Sequence, residues 1–186
     1  MIVKEIIKRS AELLGLKEVV DAIDSNEDYS VGVKEDIDNL LIAVNMVNNN
    51  IAGSYIELIG LVNVESFSGF IPYVKISNNS IIEIKKILKD GIEQEFRLFP
   101  EGVKVDTLGM CEVEYSYFPE RVEFDSEINH YLKINELVFA LGVVGEYLYI
   151  KGAIDDAYMW DKRFKSSMFN LVRPKRNLVI PARRWE

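Results

Sequence analysis

The spacing of apolar residues changes twice along this chain, and the double change limits the fold more than any single motif does. Val3, Ile6, Ile7, Leu13 and Leu14 fall at helical spacing, and Gly15 closes the pattern as a helix C-cap. Residues 21–32, DAIDSNEDYSVG, are polar and read as a loop. Ile37, Leu40, Leu41, Val44, Val47, Asn48 and Ile51 then form the stripe of a second amphipathic helix ending near Ala52 and Gly53. Lys34, Glu35, Asp38, Asn45 and Asn49 occupy its outer face.

From Tyr55 to Phe124 the period falls to two, with β-branched and aromatic residues separated by turn signals. Strands are expected near 56–64, 70–74, 81–88, 92–99, 102–105 and 111–118, forming one small antiparallel sheet. Lys89-Asp90-Gly91 is a hairpin signal, because both central residues tolerate positive φ, and Phe99-Pro100-Glu101-Gly102 makes a second turn. In CEVEYSY, Glu112, Glu114 and Ser116 alternate with Val113, Tyr115 and Tyr117, which predicts one polar strand face.

Helical spacing returns at 125–132, DSEINHYL, where Asp125 or Ser126 is available as N-cap. Ile134, Leu137, Val138, Leu141, Val144 and Leu148 make one stripe, Gly142 and Gly145 allow close approach of a neighbour, and Lys151-Gly152 breaks the helix. A last helix over about 153–171 sets Ile154, Ala157, Tyr158, Phe164, Met168 and Leu171 on one side, with Asp161 and Lys165 as an i, i+4 pair. Arg173-Pro174 ends it. The expected fold class is α+β: a helical bundle with an antiparallel β-sheet insertion at about 55–124 and an extended C-terminal arm. Residues 1–172 form a single α+β domain and residues 173–186 a docking arm.

Few sequence features point to catalysis. His130 is the single histidine and reads as a helix-surface residue, so no His-rich metal site or zinc-protease motif can form. Cys111, the single cysteine, excludes an intrachain disulfide and sits in a strand as a small hydrophobe. Asp155 and Asp156 fall in the first turn of a helix, where carboxylates meet the positive end of the dipole. The glycines stand singly and build no phosphate loop. The expectation is a non-enzyme with no cofactor and no metal. The longest apolar stretch, Val138 to Ile150, is too short to span a bilayer, and the charged N-terminus is unlike a signal peptide.

Charge is unevenly distributed. The chain carries −8 overall, yet Arg173 to Glu186 holds five basic residues against one acid, a net +4 that leaves −12 on residues 1–172. This segment, with Leu178, Val179 and Ile180 as strand formers, Arg183 and Arg184 as guanidiniums and Trp185 as an anchor, has the make-up of a β-strand docking arm. Tyr147, Tyr149, Tyr158, Trp160, Phe164 and Phe169 read as core and subunit interface.

Four pieces in order resemble the head–tail adaptor (connector, or portal-adaptor) proteins of tailed bacteriophages: EDIDNLLIAVNMVNNNIAGSYIEL, KKILKDGIEQEFRLFPEGVKV, CEVEYSYFPERVEF and ALGVVGEYLYIKGAIDDAYMWDKRFKSSM. The likeness extends more distantly to the tubular adaptors of short-tailed phages and covers roughly residues 33–186. It implies a virion protein of the neck, assembled in the host cytoplasm, that forms a dodecameric ring around the DNA channel. Its partners would be the portal protein, a downstream neck or tail protein, and further copies of itself, with packaged DNA passing through unread and no membrane involved. Portal contact is then expected from Arg173, Lys175, Arg176, Leu178, Ile180, Arg183, Arg184 and Trp185, and ring contact from Tyr147, Trp160 and Arg163. A small cytoplasmic regulatory or nucleic-acid-binding protein with a basic tail is the alternative.

Overall fold

A computed structural model describes residues 1–25, 30–131 and 133–172. The chain is α+β, and its apolar residues fall into two cores, one helical and one between strands. Helix α1 (Val3–Leu14) is closed by Gly15 at φ 73°, and the Leu16 N–H donates back to the Ala11 carbonyl. Helix α2 (Lys17–Ser25) then takes residues 21–25 of the stretch that the polar sequence suggested was loop. Val19 and Ile23, one turn apart, are both buried, and tertiary packing of that narrow face holds a helix that local composition does not advertise. Helix α3 (Val31–Ser54) follows its N-cap Ser30, whose hydroxyl accepts from the Val33 N–H, and buries the expected stripe from Ile37 to Ile51 except for Leu41, which is half-buried.

The middle of the chain folds as two antiparallel sheets where one was expected. Strands β1 (Leu58–Ser66), β3 (Ile81–Lys89), β4 (Ile92–Glu93) and β7 (Gly109–Tyr117) form the first, in the order β1-β7-β3-β4. Strands β2 (Phe70–Pro72), β5 (Phe96–Phe99) and β6 (Gly102–Val105) form the second, in the order β2-β6-β5. Their apolar residues meet in one cluster that includes Val64, Ile71, Ile87, Val103, Cys111 and Val113. A short helix, α4 (Tyr73–Ile76), follows Pro72 directly and truncates the strand expected to reach residue 74. The β3–β4 turn is made as the sequence predicts, with Asp90 at φ 52° and Gly91 at φ 78°.

Two readings of the third quarter fail for identifiable reasons. Of the helix expected over 125–132, the described residues 125–131 are not helical, although Ile128, Tyr131 and Ile134 are buried at helix-like spacing. Their backbone is claimed elsewhere: the Met1 amino group donates to the Ile128 carbonyl (2.9 Å), the Ile128 N–H to the Met1 carbonyl (2.7 Å), and the Val3 N–H to the Ser126 carbonyl (3.0 Å). Upstream, Asn45 of α3 takes both backbone groups of Val122, at 2.8 and 3.0 Å. The true N-cap is Asn135, whose side chain accepts from the Val138 N–H at 2.9 Å and starts α5 (Glu136–Ile150). Ser116 also departs from expectation, being fully buried where an outward polar residue was predicted.

Helix α5 is the centre of the helical core, packed against α1, α3 and α6 (Ile154–Val172). It is buried on several sides through Phe139, Ala140, Val143, Val144 and Tyr147, so the single stripe predicted for it is too narrow, and Leu137 in that stripe is exposed. Gly142 and Gly145 do allow close approach. A Cβ at 142 would stand 3.1 Å from the Phe164 ring and the Val47 methyl, and one at 145 would stand 3.3 Å from the Asp161 backbone nitrogen.

Candidate docking surface

Helix α6 turns Ala157, Phe164 and Met168 inward, and the Lys165 ammonium meets Asp161 at 2.7 Å as predicted. Ile154 and Tyr158, expected on that inner side, are instead exposed beside Met159. Trp160 and Arg163 lie on the same helix, with the guanidinium 4.9 Å from the indole centroid, a cation–π pair that organises this surface. Trp160 is half-buried and Arg163 exposed.

Tyr147 lies elsewhere than a ring contact requires. It is buried, and its hydroxyl donates to the Asp36 carboxylate at 2.8 Å, while Lys151 meets the same carboxylate at 2.9 Å. These groups pin the end of α5 to the start of α3 across more than a hundred residues of sequence. Burial acts to raise Asp36, but the hydrogen bonds from Lys151 and Tyr147 outweigh it and hold the carboxyl below its ordinary value. Burial and the bond to Asp36 push the Tyr147 phenol up to about 12. Tyr147 therefore belongs to the internal framework, a role that residue type alone could not distinguish from an interface.

His130 is exposed, as expected, but it stands in the non-helical segment and not on a helix, with its Nε2 3.2 Å from Asn48 Oδ1. Burial and then the positive N-terminus lower its pKa. The neighbouring Tyr131 hydroxyl donates to the Asn48 carbonyl at 2.9 Å. Cys111 is buried in β7, and desolvation raises its thiol, the opposite of what activates a nucleophile. Asp155 and Asp156 occupy the first turn of α6. Among the described residues, no group of three or more His, Cys, Asp and Glu is placed to hold a metal ion, and no helix is long and apolar enough to cross a membrane.

A second surface, which the sequence did not disclose, is the free edge of β1. Among the described residues β1 pairs on one side only, with β7. Ile59 and Leu61 stand on its outer face at 46% and 63% exposure, opposite Ser116 and Glu114 of β7. Further along, Asn63 faces Glu112 and Glu65 faces Met110, and both glutamates are exposed. The last described residue, Val172, lines a pocket of about 310 Å³ with Tyr55, Ile56, His130 and Lys133, close to where β1 begins. A larger open groove, about 680 Å³, runs between α3 (Ile42, Met46, Asn49) and the segments 78–80 and 118–121.

The residues expected to touch a portal, Arg173, Lys175, Arg176, Leu178, Ile180, Arg183, Arg184 and Trp185, lie outside the described residues. The chain matches no protein-family model, and comparison with curated proteins gives no significant match.

Proposed function

We propose that this protein is a non-enzymatic structural component of a tailed-phage neck, a head–tail adaptor that binds the portal ring and presents a surface to the next neck or tail component. The observation that carries the reading is the handover at the end of α6. A domain with −12 net charge passes directly, after Val172, into a +4 segment rich in strand formers and ending in Arg183, Arg184 and Trp185. An acidic body beside a DNA channel favours sliding over adhesion, and a short basic arm suits a docking partner with an acidic cleft. The exposed Ile154, Tyr158 and Met159 on α6, next to the Trp160–Arg163 pair, provide apolar and aromatic surface for a neighbouring copy in a ring.

Co-sedimentation with the portal ring encoded in the same genome tests this. Full-length protein is expected to pellet with the ring and a form ending at Val172 to stay in solution. Binding by both forms rules out the arm, and binding by neither removes the adaptor reading. The +4 segment also favours a second reading, a small regulatory or nucleic-acid-binding protein. That reading requires affinity for free duplex DNA that falls steeply with salt, which the adaptor reading does not.

A further inference from the structure

The exposed edge of β1 raises the question of what pairs with it. Strand β1 is nine residues long, and its register with β7 holds from Leu58 opposite Tyr117 to Ser66 opposite Gly109 without a shift. Proteins usually protect such an edge with proline, charge or a bulge, and Leu58 to Val64 carries none of these. The far edge of the same sheet is blunted by the two-residue β4.

We propose that the partner is a second copy of this chain: two β1 strands pair antiparallel about a two-fold axis between Gly60 and the partner's Gly60, joining their sheets into one. The strand itself selects this axis. Residues directly opposite must share a sheet face, so the axis passes at a residue and not between two. At Gly60 it sets Ile59 opposite the partner's Leu61, and the symmetry repeats the pair, so two exposed apolar side chains on each copy are covered at once. Leu58 and Val62 meet in the same way on the inner face, where both already pack against the cores. No side chain is needed at the axis, because the Tyr115 ring covers the inner side of Gly60, 2.5 Å from where a Cβ would stand.

Charge selects the same axis. Glu57 stands just before β1, met by the Lys85 ammonium at 2.8 Å, and the Gly60 axis sets it opposite the partner's Asn63, whose amide can donate to the carboxylate. An axis at Leu61 instead sets Glu57 against the partner's Glu65, like charges face to face, and an axis at Ile59 sets it against the partner's Leu61. The pair is closed by its symmetry, so it covers both β1 edges and leaves neither to recruit a third chain. It goes beyond the neck reading and does not depend on it.

Sedimentation velocity of the isolated full-length protein tests the pairing. The sedimenting mass is expected to rise from one chain to two, and no further, as concentration increases. Ile59→Lys with Leu61→Lys alters only exposed side chains and sets lysine against lysine twice across the axis, so it should leave a monomer throughout. Ile59→Lys with Leu61→Glu sets opposite charges together about the Gly60 axis and about neither neighbouring one, so it should recover the dimer. A full-length chain that stays monomeric overturns the proposal. Dimerisation that the double-lysine variant keeps also overturns it and places the contact elsewhere, and failure of the lysine–glutamate variant to recover the dimer overturns the register. Amide exchange of the unaltered chain answers without any variant: protection along β1 should grow with concentration while that of α5 stays constant. Protection of β1 that is already complete in the monomer assigns the edge to cover within one chain and overturns the second copy.

Discussion

The helical and β regions of this molecule solve the burial problem differently. The helical core is built from large side chains such as Phe139, Phe164, Leu40 and Ile51, and polar residues cross-link its elements over long sequence separations: Asn45 to Val122, Tyr131 to Asn48, Tyr147 to Asp36. The β core is smaller and made mainly of isoleucine and valine, and its strands leave Ile59, Leu61, Leu98 and Met110 largely exposed. The difference teaches that the helical region is the more heavily cross-linked of the two. Each region still leaves apolar surface open, on α6 at Ile154, Tyr158 and Met159 and on the sheets at Ile59, Leu61, Leu98 and Met110.

Core truncations should separate the two regions most sharply. Phe139→Ala is expected to cost about 3–5 kcal/mol and Ile87→Ala about 2–4 kcal/mol, measured by urea unfolding. If the cores are distinct in stability, Ile87→Ala will lift amide protection in β3 and β7 while leaving α5 protected. Uniform loss of protection in both variants would mean one cooperative unit and would break the comparison.

The next effect in size is at the α5–α6 contact. Gly142→Val should destabilise by roughly 1–3 kcal/mol, because the Phe164 ring and Val47 already stand at 3.1 Å from the first added carbon. A neutral result by thermal melting would show that α6 can move away, and that the helical core is softer than its packing indicates.

The Asp36 network gives a pH signature. A carboxyl whose folded pKa is depressed contributes stability that is present above its unfolded value, near 3.8, and is lost as pH falls through the folded value. Asp36→Asn should therefore cost about 1–2 kcal/mol at neutral pH and progressively less in acid. A loss independent of pH would place the effect in packing instead.

Glu146 should show the smallest effect, with the opposite sign. Burial, then the nearby Asp161, raises its pKa, so its ionised form is disfavoured in the folded state at neutral pH. Glu146→Gln is expected to stabilise by roughly 0.5 kcal/mol, solvent screening keeping the gain small. A loss of stability would show that its charge is used, with Lys165 the nearest cation acting on it.

Much of the fold could be read locally. The α3 stripe, the Gly15 cap, the Asp90-Gly91 turn, the Asp161–Lys165 pair and the close approach at Gly142 and Gly145 each depend on residues within a turn or two of one another, or on a missing side chain. Helix α2 could not be read that way, because Val19 and Ile23 gain their stability from the core they reach. Nor could residues 125–131, whose buried spacing imitates a helix while Met1 and Val3 claim the backbone of Ser126 and Ile128. The surface was less legible than the fold. Trp160 and Arg163 were placed on the exterior helix that carries them, but Tyr147 proved internal and the β1 edge went unnoticed, since an edge is defined by which strands fail to pair.

By itself the sequence determined the class of most segments and the charge contrast between body and tail, because period, turn chemistry and net charge are local or additive. The tertiary structure alone decided that the strands form two sheets, that β1 lies at an edge, and that the chain leaves its last helix beside the start of that strand. Those depend on contacts between residues far apart in the chain, whose energy no short window of sequence contains.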